Sequence, residues 1–316
     1  MVFRPSSPAS RRVAAALAAA VLFLAGCRSV PRPPTRALRT GDEIIVAGQR
    51  FHTGTRIVTW LEPGGYSAYR GRPGYGSRVA ALDARTNREV KQHGWNLPAL
   101  QGIVDQFVLH YDTCGLSKVC FNVLQQRGLS VHFLLDLDGT VYQTMDLQEK
   151  AEHATVANSR SIGVEIANLG AYAPTDAGRL ADWYQPSGRG PARIVVPPRI
   201  RDPGIRTPDF VGRPARPEPV RGRIQQSDYV QYDYTEEQYD ALIRLTAALC
   251  RVFPRLQCEY PHDAAGRLIT HRLPDDVLAR YHGVLGHYHI QDNKIDPGPA
   301  LQWRRVIEGA RAELGR

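Results

Sequence analysis

The chain has 316 residues, 43% of them hydrophobic, and a formal net charge of +9. That is enough for one large domain or two modest ones around a packed core, and it argues against a disordered chain. The positive balance suits a polyanionic surface, but no nucleic-acid motif and no basic run interleaved with aromatics is present, so nucleic acid is not expected as a partner.

The N-terminus carries the first specific signal. Arg4, Arg11 and Arg12 precede an apolar stretch from Val13 to Ala25 that is too short and too rich in small residues for a membrane span, and it reads as an export signal. The stretch ends in Leu24-Ala25-Gly26-Cys27, which resembles the lipobox of bacterial lipoproteins. The resemblance implies a leader over residues 1–26, lipidation of Cys27 and a membrane anchor. With Arg28 rather than Asp at the next position, it implies an outer-membrane lipoprotein facing the periplasm. With the three leader arginines set aside, 37 basic residues face 31 acidic ones, a balance of +6. Four cysteines remain, and Cys114 with Cys120 and Cys250 with Cys258 lie close enough in sequence to form two disulfides in an oxidising compartment. A thiolate metal site is the alternative, but neither pair has the two-residue spacing of a zinc ribbon or knuckle.

Residues 27–40 are rich in proline and arginine and read as an extended tether. From Gly41 to Tyr69, weak alternation in Glu43-Ile44-Ile45-Val46 and Arg56-Ile57-Val58-Thr59-Trp60 predicts short strands. Ile103 to His110 predicts an apolar strand. Ser117 is placed to cap a helix running to about Arg127, and Gly128 to end it in a left-handed conformation. Val131–Leu135 and Thr140–Thr144 predict a hairpin turned at Asp138-Gly139, and Ser161–Ala167 a buried strand. Strand, helix, hairpin and strand together predict an α/β fold with a mixed central sheet flanked by helices.

Ala171 to Arg223 holds ten of the 23 prolines and little periodicity, so an insertion at about 171–230 is expected, functional or poorly ordered. Thr235-Glu236-Glu237-Gln238 reads as a capping box, opening a helix that should end near Phe253-Pro254. A short strand at Gly283–His287, a loop and a final helix near Leu301–Leu314 close a domain spanning 41–316.

Ten histidines are too many to be informative singly, so the useful ones are those beside other potential ligands at strand ends or in loops. His110 ends an apolar strand, and His287 opens a loop that carries Lys294 and Asp296. A catalytic zinc takes three protein ligands and leaves the fourth position to water, and His110, His287 and Asp296 would supply two imidazoles and a carboxylate. Amide hydrolysis at such a centre needs a carboxylate to move the proton of water and a donor for the oxyanion; Glu165 and Lys294 are the candidates.

These segments resemble the zinc amidase family that contains bacterial N-acetylmuramoyl-L-alanine amidases, phage lysozyme-type amidases and peptidoglycan recognition proteins. The matching pieces run from about Val104 to Trp303. They are the strand ending in His110, Ser130-Val131-His132-Phe133 with Asp138-Gly139, Glu152-His153-Ala154, Asn158 with Ser161-Ile162-Gly163-Val164-Glu165, and Gly286-His287 through Asp296-Pro297-Gly298. The resemblance implies the peptidoglycan recognition protein-like fold, one zinc on His110, His287 and Asp296, Glu165 as general base and acid, and Lys294 as oxyanion stabiliser. It implies substrate contacts at His153 and Asn158, and Cys114 and Cys120 match the disulfide spacing of the recognition proteins. The implied reaction is cleavage of the amide between N-acetylmuramic acid and L-alanine in peptidoglycan or muropeptides, for wall turnover or recycling. Val131 stands where the phage enzymes and recognition proteins carry a catalytic tyrosine, which places the proton transfer on Glu165. Glu152 replaces an aromatic residue, and His289, where the family often has Asp, is a possible groove or metal residue. His132 reads as a hydrogen-bonded core histidine. His52, His93, His262, His271 and His282 have no partner pattern and read as structural. A non-catalytic peptidoglycan-binding lipoprotein is the competing reading; the full ligand set and both polar catalysts favour the enzyme. No His-Glu-x-x-His helix exists to support another zinc peptidase family.

Overall fold

Runs such as Phe107-Val108-Leu109 and Ile162-Gly163-Val164 lack polar alternation, as strands covered on both faces must. The computed structural model describes residues 39–71, 74–187 and 190–315, so the leader, Cys27 and nearly all of the tether lie outside the described residues. In chain order, β1 (Glu43–Val46) and β2 (Gln49–His52) form a hairpin, followed by β3 (Ile57–Thr59), β4 (Tyr75–Ser77), α1 (Ala84–His93) and α2 (Leu97–Gln101). The central block is β5 (Gln106–Tyr111), α3 (Ser117–Arg127), β6 (Phe133–Leu135), β7 (Val141–Gln143), β8 (Glu149–Ala151) and β9 (Ser161–Ile166). Then come β10 (Tyr184–Ser187), β11 (Gly190–Ile194), β12 (Val220–Ile224), β13 (Ser227–Gln231), α4 (Glu236–Val252), α5 (Asp275–Arg280), β14 (Gly283–Gly286) and α6 (Trp303–Glu313).

Six strands make one mixed sheet of order β14-β5-β9-β6-β7-β3, in which only β6 and β7 run antiparallel. Period-two alternation divides its faces. Phe107, Leu109, Tyr111, Ile162, Val164 and Ile166 pack in the core that α4 and α6 cover. His110, Gly163 and Glu165 occupy the intervening positions on the other face, where Leu134 meets Cys120, Phe121 and Leu124 of α3. The mixed sheet between helices is the architecture that the order of elements implied.

Most predicted ends hold. Gly128 stops α3 with φ 64°, where its N–H meets the carbonyls of Leu124 and Gln125, although the N-cap is Leu116 and contributes no side-chain bond. Thr235 and Gln238 form the capping box of α4 in both directions, at 3.1 and 2.9 Å, and the helix stops before Pro254. Helix α1 was not expected, because its only buried residue is Val90 and no apolar stripe exists to be read; its one local mark is Asp83, whose side chain accepts from the N–H of Arg85 and Thr86. The proline-rich stretch departs most from expectation. It builds the antiparallel pairs β10–β11 and β12–β13, and a Tyr172–Val230 bridge joins its start to β13. Leu180, Trp183, Tyr184 and Val230 form a small core with Leu116 and Leu169. Those contacts are non-local, so no short-range period announces them.

Arg78, just after β4, is 0% exposed and is paired with none of the carboxylates of the described residues. Its guanidinium donates to five carbonyls: Leu147 and Glu149 at 3.2 and 2.9 Å, Asn158 and Ser159 at 3.1 and 3.0 Å, and Ser161 at 2.8 Å. Burial lowers its pKa to about 9, which still leaves it charged at neutral pH. One side chain thus ties β8 to the segment leading into β9. Arg78→Met fills much of the volume but orphans these carbonyls, and should lower the unfolding free energy by roughly 3–5 kcal/mol. Urea titration of the two proteins measures it, and a loss below about 1 kcal/mol would mean that other donors replace the guanidinium.

Candidate metal centre and active site

Three adjacent parallel strands bring the site together at their carboxyl ends, the edge at which open α/β sheets bind ligands. His110 lies in β5 in register with Glu165 of β9, and His287 follows directly on β14, whose Gly286 pairs with Leu109. The loop after His287 then folds back, with the Tyr288 N–H donating to the Asp296 carbonyl at 3.2 Å, which returns the Asp296 carboxylate to the strand ends.

Nδ1 of His110 and Nδ1 of His287 are 3.1 Å apart, and Oδ2 of Asp296 is 2.7 and 3.0 Å from them. The three residues are 2%, 6% and 9% exposed. Tetrahedral ligands about 2.0 Å from a zinc ion would be about 3.3 Å from one another, so these atoms converge at close to a metal's spacing. Among the described residues this is the one cluster of three His, Cys, Asp or Glu side chains that could hold a metal ion. The electrostatics suit that use. Burial first, then the neighbouring His287, pushes His110 down to about 4, leaving a neutral imidazole at pH 7. Burial alone would raise Asp296, but His287 and His110 outweigh it and hold the carboxylate well below its ordinary range.

A groove of about 490 Å³ opens over this cluster, lined among others by Val123, Leu124 and Arg127 of α3, Glu152, Thr155, Asn158, Asn293 and Lys294. Glu165 lines it too. Burial, then the charges of Asp296 and Asp112, raise its pKa well above the ordinary carboxyl value, and its Oε2 is buried without a hydrogen-bond partner. The positive charge of Lys294 opposes that rise.

His153 and Asn158, expected to contact substrate, line the groove, but their polar atoms are engaged by the protein. Asn158 Oδ1 accepts from the N–H of His153 and Ala154, at 3.2 and 2.6 Å, and its amide donates to Glu152 at 2.8 Å. His153 lies between His110 and Ser161, 3.0 and 3.2 Å from their polar atoms. A Cβ on Gly163 would come within 2.6 Å of the His153 ring, so only glycine leaves room for it there. His132 is the core histidine expected, accepting from the Gly163 N–H at Nδ1 and held neutral by burial and by Arg78. His289 is fully buried and turned away from the cluster: it accepts from the Gly286 N–H at 2.9 Å and lies 2.6 Å from the Ile269 carbonyl. Sequence reasoning missed Arg78 and Gln291. Gln291 stands one turn after His287, with Oε1 2.7 Å from His287 Nε2, and that four-residue spacing was its only visible signal.

Cys114 and Cys120 both line the groove, with Cys114 the hydrogen-bond partner that, ahead of burial, raises the Cys120 thiol. Cys250 and Cys258 are buried in the main core.

Residues 100–187 match the family model described as N-acetylmuramoyl-L-alanine amidase. Solved structures with some likeness include a selenomethionine derivative of AmpD, at 15% identity over 80% of this chain and 98% of that one, with a TM-score of 0.36. AmiD from E. coli, in complex with anhydro-N-acetylmuramic acid-L-Ala-D-γ-Glu-L-Lys, is 17% identical over 65% of this chain and 57% of that one, with a TM-score of 0.35. The amidase LysC from Clostridium intestinale is 14% identical over 68% and 88%, with a TM-score of 0.34. No curated protein matches the sequence.

Proposed function

We propose, from the match of residues 100–187 to the family model described as N-acetylmuramoyl-L-alanine amidase, a zinc hydrolase that releases stem peptides from peptidoglycan at the muramoyl–L-alanine amide. The observation that carries the metal assignment is the convergence of His110 Nδ1, His287 Nδ1 and Asp296 Oδ2 within 3.1 Å beside an unpaired carboxylate. Two imidazoles and one carboxylate are a donor set of catalytic zinc, which when bound supplies the Lewis acidity that polarises the amide carbonyl and readies water for attack near neutral pH.

The rest of the chemistry falls to side chains. Glu165, adjacent to His110 and with a free oxygen, takes the proton from the attacking water and passes it to the leaving amine nitrogen. Its raised pKa makes it a stronger base than an exposed carboxylate and keeps the return of the proton feasible. Lys294, across the groove, stabilises the negative charge that develops on the carbonyl oxygen. The groove is lined by α3 on one hand and by the 152–158 segment on the other, and a glycan-linked peptide is the occupant proposed for it.

Wall turnover or recycling from the inner face of the outer membrane is the role proposed, with Cys27 as the lipid attachment point. In that compartment Cys114 and Cys120, already in contact, would form one disulfide, and Cys250 and Cys258 the other. Digestion of purified sacculi by the mature chain should release free stem peptides by mass analysis, and a chelator should stop it until zinc is restored. A protein that binds sacculi and holds zinc but releases no peptide would be a recognition module instead.

A further inference from the structure

The metal cluster uses one nitrogen of each histidine, and the other nitrogens are as closely partnered. His110 and His287 both turn Nδ1 toward Asp296. For Nδ1 to offer a lone pair, each ring must carry its proton on Nε2. Both Nε2 atoms meet an acceptor. His287 Nε2 is 2.7 Å from Gln291 Oε1, a carbonyl oxygen that cannot donate. His110 Nε2 is 3.0 Å from His153 Nδ1, and His153 Nε2 lies 3.2 Å from Ser161 Oγ, so a His153 ring protonated at Nε2 can donate there and accept from His110.

The surroundings fix these acceptors in place. His153 has its backbone N–H on Asn158 and its ring over the bare Cα of Gly163. The backbone carbonyl of Gln291 accepts from Gln225 Nε2 at 3.1 Å, and Gln225 also donates to the carbonyls of Tyr288 and Lys294, which ties down the loop between the second and third candidate ligands.

We propose that His153 and Gln291 are the positioning residues of the metal centre, each accepting the Nε2–H of one ligand histidine and thereby aiming its Nδ1 lone pair at the ion. The inference rests on the metal reading above and adds to it a specific tautomer for each ligand. His153 then acts through His110 rather than on substrate.

The test measures zinc affinity, by competition with a chromophoric chelator, in the mature chain. His153→Leu and Gln291→Leu should each weaken zinc roughly 10- to 100-fold, the usual effect of removing such a partner. His153→Asn, whose Oδ1 can stand where Nδ1 stood, should restore most of the affinity, whereas a role in filling space alone would favour leucine. Parent affinity in both folded leucine variants overturns the proposal while leaving the metal reading intact. A parent protein that takes up no zinc overturns both. Should the leucine variants fail to fold, long-range 1H–15N correlation spectra of the zinc-loaded parent decide the matter: protons on Nε2 of His110 and His287 are expected, and a proton on either Nδ1 refutes the assignment.

Discussion

Changing Glu165 to glutamine is expected to slow peptide release from sacculi by roughly 10²- to 10⁴-fold, while zinc content stays at one ion per chain. The substitution keeps the size but removes the charge and the ability to take a proton, and Glu165 is not among the three converging donor atoms. A second effect should accompany it in the metal-free protein. Burial, followed by the charges of Asp296 and Asp112, raises the pKa of Glu165 above its unfolded value of 4.5. The folded state therefore binds more protons than the unfolded state between those two values, and stability falls as pH rises across that window. Above it the ionised side chain is a standing cost, which glutamine lacks. Metal-free Glu165→Gln should thus melt higher than the parent at neutral pH and approach it in acid. Parent turnover by the variant would move the base role to another group.

Replacing His110 with alanine should have the largest effect of all: loss of zinc and of activity together, to the background of the metal-free parent. His110 is neutral at pH 7, so in the parent zinc displaces no proton from it, and alanine leaves only two of the three converging donors. Asp296→Asn should also weaken zinc, because it removes the carboxylate that both imidazoles face. Metal analysis after dialysis, together with turnover at saturating zinc, separates these variants from Glu165→Gln. Activity retained by a zinc-free His110→Ala protein would end the metal argument.

Much of this site was legible in the sequence because its polar residues interrupt strong local patterns. His110 ends an apolar strand, Glu165 breaks a run of Ile, Gly and Val, and His287 follows a strand after which Lys294 and Asp296 come within one loop. What could not be read depends on residues far apart in sequence. Arg78 works through carbonyls 69 to 83 positions away, and a backbone oxygen leaves no trace in side-chain identity. His153 reads as a groove residue until its distance to His110 is known. The prolines between 171 and 223 hid two hairpins, because hairpins stabilised by tertiary contact need no alternating pattern of their own.

The Arg78 guanidinium also bears on where this chain can be cut. The segment that matches the family model begins at residue 100, yet β3, one edge strand of the central sheet, lies before it, as does the side chain on which the approach to β9 hangs. A fragment trimmed to the recognisable segment would leave the backbone of β7 unpaired along an open edge, a template for association with other chains. It would also leave the His153 segment without its internal clamp. The smallest fragment expected to fold on its own is therefore larger than the part that matches the family model, and it starts upstream of Ile57.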